Sequence, residues 1–355
     1  MSGVETKAEI LFEQKWHKDL SEYVTVIAWS PDDLLAASSA AGEVVVWQDG
    51  NLLELLPSGL ESIDCLAFSA DGKFLAAGGQ DGQVRVWSLV ETLAQKEVNS
   101  IATLENAPSW VDLLAWSPTG NYLAFGLGRY VQIWDAATQT IIATLSFANS
   151  SVLDLAWRPN GENIAIAGNG GVKVWSTKAW TEEPDLIEST STSTLIAWSR
   201  NSQYLASGNL DNTIRLLEYG ALSPWIMQGF PGKVSNLAWS QGEPNKTPWL
   251  AASSLGLVAV WQEANNDEDI WDARGLDFHR KKVRALEFHP QNRLLASAGD
   301  DGCLCLWSDA RQLGPILEGT RDGFSCLAWS QDGKKLAAGG QDGELIIWSK
   351  SDLTK

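Results

Sequence analysis

One phrase constrains this chain more than anything else in it. A segment of the form Val-x-x-Leu-Ala-Trp-Ser-Pro recurs eight times: VTVIAWSP (24–31), IDCLAFSA (63–70), VDLLAWSP (111–118), VLDLAWRP (152–159), STLIAWSR (193–200), VSNLAWSQ (234–241), VRALEFHP (283–290) and FSCLAWSQ (324–331). Its aromatic residue falls at Trp29, Phe68, Trp116, Trp157, Trp198, Trp239, Phe288 and Trp329, with successive spacings of 39, 48, 41, 41, 41, 49 and 41. Self-similarity at a fixed period of this size means that one supersecondary unit is repeated along the chain. It overrides the two-domain expectation that 355 residues would otherwise raise.

The unit itself is legible. Each copy leads into a second apolar run, a glycine-containing turn and a third run that ends in an aromatic residue, as in FLAAGGQDGQVRVW (74–87), LLASAGDDGCLCLW (294–307) and KLAAGGQDGELIIW (335–348). The closing residues are Trp47, Trp87, Trp134, Trp175, Trp261, Trp307 and Trp348, with Leu217 in the fifth copy. Asp-Gly between two β-prone runs is a strong hairpin signal, because glycine supplies the positive φ of a tight turn. A fourth strand is read at LLELL (52–56), IATL (101–104), IIATL (141–145), DLI (185–187), WIMQG (225–229) and PILEG (315–319). ETLAQKE (91–97) is the one helical turn expected. A four-stranded sheet that is apolar on both faces cannot bury itself, so the sheets are expected to stack radially, with closure protecting their edges.

These motifs resemble the WD-repeat family of β-propellers, over about residues 9–349. Trp134-Asp135 is the one literal Trp-Asp pair after a closing tryptophan. The resemblance and the eight copies together imply an all-β, eight-bladed propeller of four-stranded antiparallel blades. A seven-bladed ring is the alternative, should the fifth copy be merged. After Trp348 only seven residues follow, SKSDLTK, a short and mostly polar segment, while EILFEQKW (9–16) precedes the first copy without a blade of its own. Residues 9–16 are therefore expected to pair with 344–348, the N-terminal strand completing the last blade as is common in the family. Residues 1–8 and 350–355 are read as tails around a single domain, 9–349. The family's hydrogen-bonded tetrad maps onto the seventh copy as His279, Ser297, Asp301 and Trp307. Other copies keep Asp81, Asp211 or Asp342 without the histidine, and copies one, three and six carry Ala41, Gly128 and Leu255. Blade seven is thus expected to be the stiffest, and most others to rely on apolar packing, with 13 of the 19 tryptophans at repeat positions.

Charge and the scarcity of histidine narrow the function. The formal charge is −18, which disfavours nucleic acid and anionic membrane surfaces as partners. No run approaches the roughly 18 consecutive apolar residues of a membrane helix, and the first twenty residues lack a secretory apolar core. Cys65, Cys303, Cys305 and Cys326 lie in strand-like runs and read as reduced, buried thiols of a cytoplasmic, monomeric protein. The three histidines, His17, His279 and His289, form no metal-ligand spacing, so no catalytic residue, metal site or cofactor is assigned. Cys303 and Cys305, alternating near His279, are the one pair from which a thiolate–imidazole site could be built, with buried filler as the plainer reading. The glycine-rich GNGG (168–171) and AGGQDG (77–82) open no helix and are hairpin turns. Asp64, Asp112 and Asp154 recur near the start of the inner strand and are expected to ring one channel mouth as an acidic collar.

The resemblance implies that partners meet the face carrying the outer-to-inner connections and the turns between second and third strands. On it fall Tyr23, Trp110, Lys233 and Lys282 before the inner strands, and Gln80 and Gln341 before the turns. Tyr23 and Trp110 are the anchor candidates, since exposed aromatics dominate interface energetics. HRKKVR (279–284) is a basic patch suited to an acidic peptide. Trp271, in NNDEDIWDARG (265–275), is read as the aromatic of an acidic docking loop. The expected function is a non-catalytic protein-interaction scaffold that binds one or more proteins or peptides. An accessory protein in metal or cofactor trafficking is the alternative, and a propeller enzyme the remote one.

Overall fold

In a computed structural model that describes residues 12–59, 61–95, 98–148, 150–242, 246–264 and 271–351, the strands form eight four-stranded antiparallel sheets. Seven sheets are consecutive in sequence; the first runs Val24–Trp29, Leu35–Ser39, Val44–Gln48 and Asn51–Leu56. The eighth takes Phe324–Trp329, Lys335–Gly340 and Glu344–Lys350 and is completed by Phe12–Asp19. The inner strands neighbour one another in chain order, and Val24–Trp29 also packs beside Phe324–Trp329, which closes the ring. The protein is an eight-bladed β-propeller. A single helix, Leu89–Gln95, interrupts the pattern among the described residues.

The closing strand behaves as its sequence requires. Phe12 to Asp19 pairs antiparallel with Lys350 to Glu344 and carries a bulge between Gln14 and Trp16. Phe12 and Leu20 are buried, and Trp16 packs on Trp47 with ring centroids 6.0 Å apart. Residues 9–11 of the expected pairing lie outside the described residues.

Packing between blades explains the repeated aromatic. Its indole N–H donates to the carbonyl of the alanine just before the equivalent aromatic in the preceding blade. The pairs are Trp29 to Ala328 (3.1 Å), Trp116 to Ala67 (3.0 Å), Trp157 to Ala115 (3.0 Å), Trp198 to Ala156 (3.2 Å) and Trp239 to Ala197 (3.0 Å). A buried indole that also satisfies its N–H contributes both apolar area and a hydrogen bond. The repeated Trp is thus a staple between blades, a role that phenylalanine at positions 68 and 288 cannot fill.

In blade seven all four tetrad residues meet. His279 Nε2 lies 2.8 Å from Ser297 Oγ, which also accepts the Trp307 indole N–H at 2.8 Å. His279 Nδ1 is 3.1 Å from both carboxylate oxygens of Asp301. The network fixes the tautomer: Nδ1–H donates to Asp301, and Nε2 accepts from the Ser297 hydroxyl. Asp301 also accepts the Arg280 N–H at 3.0 Å, tying the loop to the turn.

The other blades do not depend on apolar packing alone, a correction to the sequence expectation. Glu344, 1% exposed, accepts the N–H groups of Arg321 (2.9 Å) and Asp342 (3.2 Å). Glu43 accepts the Ser21 N–H, and Ser254 Oγ bonds both the N–H (3.1 Å) and C=O (2.7 Å) of Gly232. Asn209 accepts from the Ser193 hydroxyl at 2.8 Å. Glu43 and Glu344 stand two residues beyond Ala41 and Asp342, so their longer side chains reach the loop N–H that Asp301 reaches in blade seven. A buried backbone donor has to be satisfied, and the blades reach that end through different residues.

A second correction concerns blade six. Trp271–Leu276 is its outer strand, paired with Leu257–Glu263. The docking-loop reading therefore fails for residues 271–275, and residues 265–270 lie outside the described residues. An outer strand needs partners on one edge only, so its middle residues can stay exposed and polar while Leu276 is buried at 3% exposure.

Candidate functional site

Loops that enter the inner strands and the turns between second and third strands gather on one face, here the upper face. Backbone hydrogen bonds join the two sets within a blade: Ala40 N–H to Tyr23 C=O (2.9 Å), Gln80 to Ser62 (3.0 Å), Leu210 to Thr192 (3.0 Å), Asp300 to Lys282 (2.9 Å) and Gln341 to Gly323 (2.9 Å). The turns also hold the loop leading to the next blade, as in Val283 N–H to Leu255 C=O at 2.8 Å. Side chains from neighbouring blades are therefore displayed on a rigid backbone.

Two groupings result. Around one sector of the channel mouth, Arg284 Nε and Gln341 Nε2 both donate to Asp300 Oδ1 at 2.6 Å. Tyr23 sits beside them, half-buried, its pKa raised by burial against the opposing charge of Arg284. Lys282 and Lys233 are exposed, and Gln80 is half-buried. Round the other sector the surface turns apolar. Trp110 is 60% exposed, Leu210 53%, Leu255 52% and Leu153 39%. Trp110 and Leu153 border a hollow of about 360 Å³ between blades three and four, with Asp112, Gly126 and Val152 in its wall.

Trp271 does not belong to this face. It begins an outer strand at the opposite edge of the disc and packs against Tyr204 (5.9 Å), Trp225 (6.1 Å) and Trp239 (6.5 Å). Trp16, Trp180 and Trp249 are likewise packed, on Trp47, on Trp157 and beneath Arg293 and Arg311. Of the six tryptophans outside repeat positions, Trp110 is the one offered to solvent as a large apolar surface.

The acidic collar separates into two kinds of residue. Asp64 and Asp112 share the second position of their inner-strand copies; Asp64 accepts the Ser62 hydroxyl at 2.6 Å, and Asp112 is exposed. Asp154 stands one residue later in its copy, and a one-residue step sends a strand side chain to the opposite face. It points at blade five, accepting the Ile196 N–H at 2.7 Å and the Leu155 N–H at 2.8 Å. The same position bridges blades elsewhere: Cys65 Sγ lies 3.1 Å from the Val111 carbonyl, and Asn236 Nδ2 lies 3.3 Å from that of Val283.

Burial pushes the Asp154 carboxyl up from about 3.8 to about 6, against the two N–H donors that favour its charge. A raised folded-state value means that the stability this group contributes is fully present below the unfolded value of about 3.8 and is lost as pH rises from there through about 6. Asp154→Asn is expected to exceed the wild type at pH 8 by about 1–2 kcal/mol, the shift being discounted for water in the channel, and to lose that advantage by about pH 4, at the unfolded-state value. Urea unfolding at the two pH values measures this; an equal or less stable variant at pH 8 refutes it.

The cysteine pair has no imidazole to share. Both His279 nitrogens are engaged within the tetrad, and Cys305 is buried beside Ser297 with its thiol pushed up by burial. Among the described residues no cluster of three or more His, Cys, Asp or Glu is placed to hold a metal.

One residue escaped the sequence reading. In the phrase that defines the repeat, the position before the aromatic is alanine in seven copies and Glu287 in the seventh. Glu287 borders a cavity of about 680 Å³ on the ring axis, toward the lower face, whose wall includes Ala28, Trp29, Leu327, Ala328 and Trp329, with Arg200 at its rim. Aligning the eight copies position by position would have exposed it.

Comparison with known proteins agrees with this architecture. The family described as "WD domain, G-beta repeat" matches residues 54–88, 139–176, 190–217, 273–308 and 312–349. Protein ROOT INITIATION DEFECTIVE 3 of Arabidopsis thaliana is 38% identical over 58 residues, 16% of this chain and 13% of that protein. F-box-like/WD repeat-containing protein TBL1X of Mus musculus is 29% identical over 134 residues, 32% of this chain and 24% of its own. Pre-rRNA-processing protein IPI3 of Mycosarcoma maydis is 32% identical over 106 residues, 26% of this chain and 18% of its own. In each case the match spans a quarter or less of the relative's length.

Proposed function

We propose, from the premise that this chain belongs to the WD-repeat family, that it is a non-catalytic scaffold gripping a partner protein on its upper face. The observation that carries the reading is the arc of exposed apolar side chains on that face, Trp110, Leu153, Leu210 and Leu255, running on to the exposed Lys233, Lys281 and Lys282. Leu255 lies between the two lysine loops, in reach of Gly232 on one side and hydrogen-bonded through its carbonyl to Val283 on the other. Large apolar side chains displayed from successive blades on one rigid face favour an interaction surface. The lysines beside them favour a segment whose apolar residues are followed by carboxylates, and complementary charge governs encounter and orientation. An overall charge of −18 supports a protein partner over nucleic acid or anionic lipid. No helix among the described residues is long and apolar enough to cross a membrane.

Affinity capture with quantitative mass spectrometry tests the face. Trp110→Asp is expected to deplete the captured partner at least tenfold, equivalent to losing about 1.4 kcal/mol or more, as for a buried aromatic anchor. Leu186→Asp, on the outer strand of blade four, is expected to leave capture intact. Retention of every partner by Trp110→Asp and by Leu255→Asp would reject the upper face.

A further inference from the structure

Inner strands converge on the axis, and seven blades present only a methyl group there, Ala28 and Ala328 among them. Glu287 brings a carboxylate to that place in blade seven. Its Oε2 accepts the Trp329 backbone N–H at 3.0 Å, and among the described residues no donor reaches Oε1. Burial pushes its pKa up to about 7, partly offset by that N–H and by the nearby charge of Arg200. Arg200, from the first turn of blade five, crosses to the Pro290 carbonyl of blade seven at 3.3 Å and so spans the lower mouth. The Trp329 ring lines the same space, its indole nitrogen turned into the wall. The Trp329 indole is 4% exposed and its N–H has no acceptor, where five equivalent indoles bond the alanine carbonyl of the preceding blade.

Glu287 is half-buried, and its second carboxylate oxygen is left without a donor beside the cavity, where a cation would complete it. Guanidinium at the rim offers paired N–H groups that suit a carboxylate. Carboxylate inside, guanidinium outside and apolar walls between them form a charge-separated pocket. Its volume, about 680 Å³, lies within the range of small-molecule sites.

We propose that the lower end of the axial channel binds a small zwitterion of the amino-acid class. The ligand's ammonium seats on Glu287 Oε1, its carboxylate pairs with Arg200, and its side chain lies along Trp29 and Trp329. Ring faces at that position add attraction for the ammonium. The site opens on the face opposite the partner surface and stands whether or not a protein docks there.

Isothermal titration of the full chain with glycine, L-leucine and L-arginine tests the site, with methylammonium chloride and sodium acetate as single-charge controls. Glu287→Ala installs the residue of the other seven blades, and Arg200→Gln installs the side chain found at Gln241 and Gln331, so both variants keep the fold. At least one amino acid is expected to bind at one per chain, at least tenfold more tightly than either control. Each substitution is expected to weaken that binding at least tenfold, while thermal unfolding without ligand stays at or above the wild-type midpoint. Absence of saturable binding by all three amino acids overturns the proposal. So does undiminished binding by Glu287→Ala, or binding of methylammonium as tight as that of the best amino acid.

Discussion

A chain lacking residues 1–19 is expected to unfold at least about 10 °C below the full-length protein. The deletion removes the whole outer strand of blade eight, Phe12–Asp19, and with it the pairing from Phe12 to Lys350 through Asp19 to Glu344. Phe12 leaves the cluster it shares with Trp329, Ile346 and Trp348, and Trp16 leaves Trp47. Fully burying one large apolar side chain is worth about 1.5–3 kcal/mol, so these two and their neighbours carry about 4–5 kcal/mol before any strand hydrogen bond is considered. For a domain of about 340 residues each kcal/mol moves the midpoint by about 1.5 °C, so this burial accounts for about 6–7 °C and the lost strand hydrogen bonds for the remainder. The lost strand also leaves Glu344–Lys350 as a long exposed edge of high β-propensity, which invites association between chains. Calorimetry with light scattering reads both effects. A peptide of residues 1–19 added in excess is expected to restore much of the midpoint, because the strand binds by edge addition. A truncated chain that melts within 3 °C of the parent would show that the ring closes without this strand.

The fold could be read from the chain because each blade writes the same pattern. Val, Leu and Trp recur at the same inner-strand positions, the Gly-containing turn follows at a nearly constant interval, and an apolar sheet that must be covered on both sides leaves radial stacking as the outcome. Closure was legible from what remained at each end, seven residues after Trp348 and an unassigned strand before Val24. Trp271–Leu276 was missed because an outer strand is mostly exposed: four of its six residues face solvent, so Asp272 and Arg274 read as loop. Asp154 shares with Asp64 and Asp112 a place near the start of the inner strand, but a step of one residue reverses which neighbour a strand side chain meets. Glu43 and Glu344 replace the tetrad aspartate from two positions further on, an equivalence that exists across the turn and not along the sequence. The interaction face was legible as a set of positions. Its division into an apolar arc and a polar sector was not, because exposure depends on how far each turn stands above the disc.

Removing the imidazole of blade seven is expected to be the costliest single side-chain truncation among the polar ties. His279 has a side chain that is 0% exposed, and it joins Asp301, which is 12% exposed, to Ser297 and through it to Trp307. His279→Ala leaves a cavity the size of a ring, deprives the Asp301 carboxylate of one of its donors and leaves the Ser297 hydroxyl proton without its acceptor. Breaking one partner out of a buried polar network costs the desolvation of every group left behind, so a loss of about 3–4 kcal/mol is expected in urea unfolding. Ser297→Ala should cost less, about 1–2 kcal/mol. Trp47 and Trp134 already sit with buried, unpaired indole N–H groups in blades one and three, where Ala37 and Phe125 replace the serine, so the fold tolerates that vacancy elsewhere. The double variant should fall short of the sum, since once His279 is gone Ser297 has only Trp307 to serve. A loss below 1 kcal/mol for His279→Ala, or strict additivity with Ser297→Ala, would mean that blade seven is held by its apolar contacts, Leu295, Cys305 and Trp307, and that the four polar groups meet without stabilising one another.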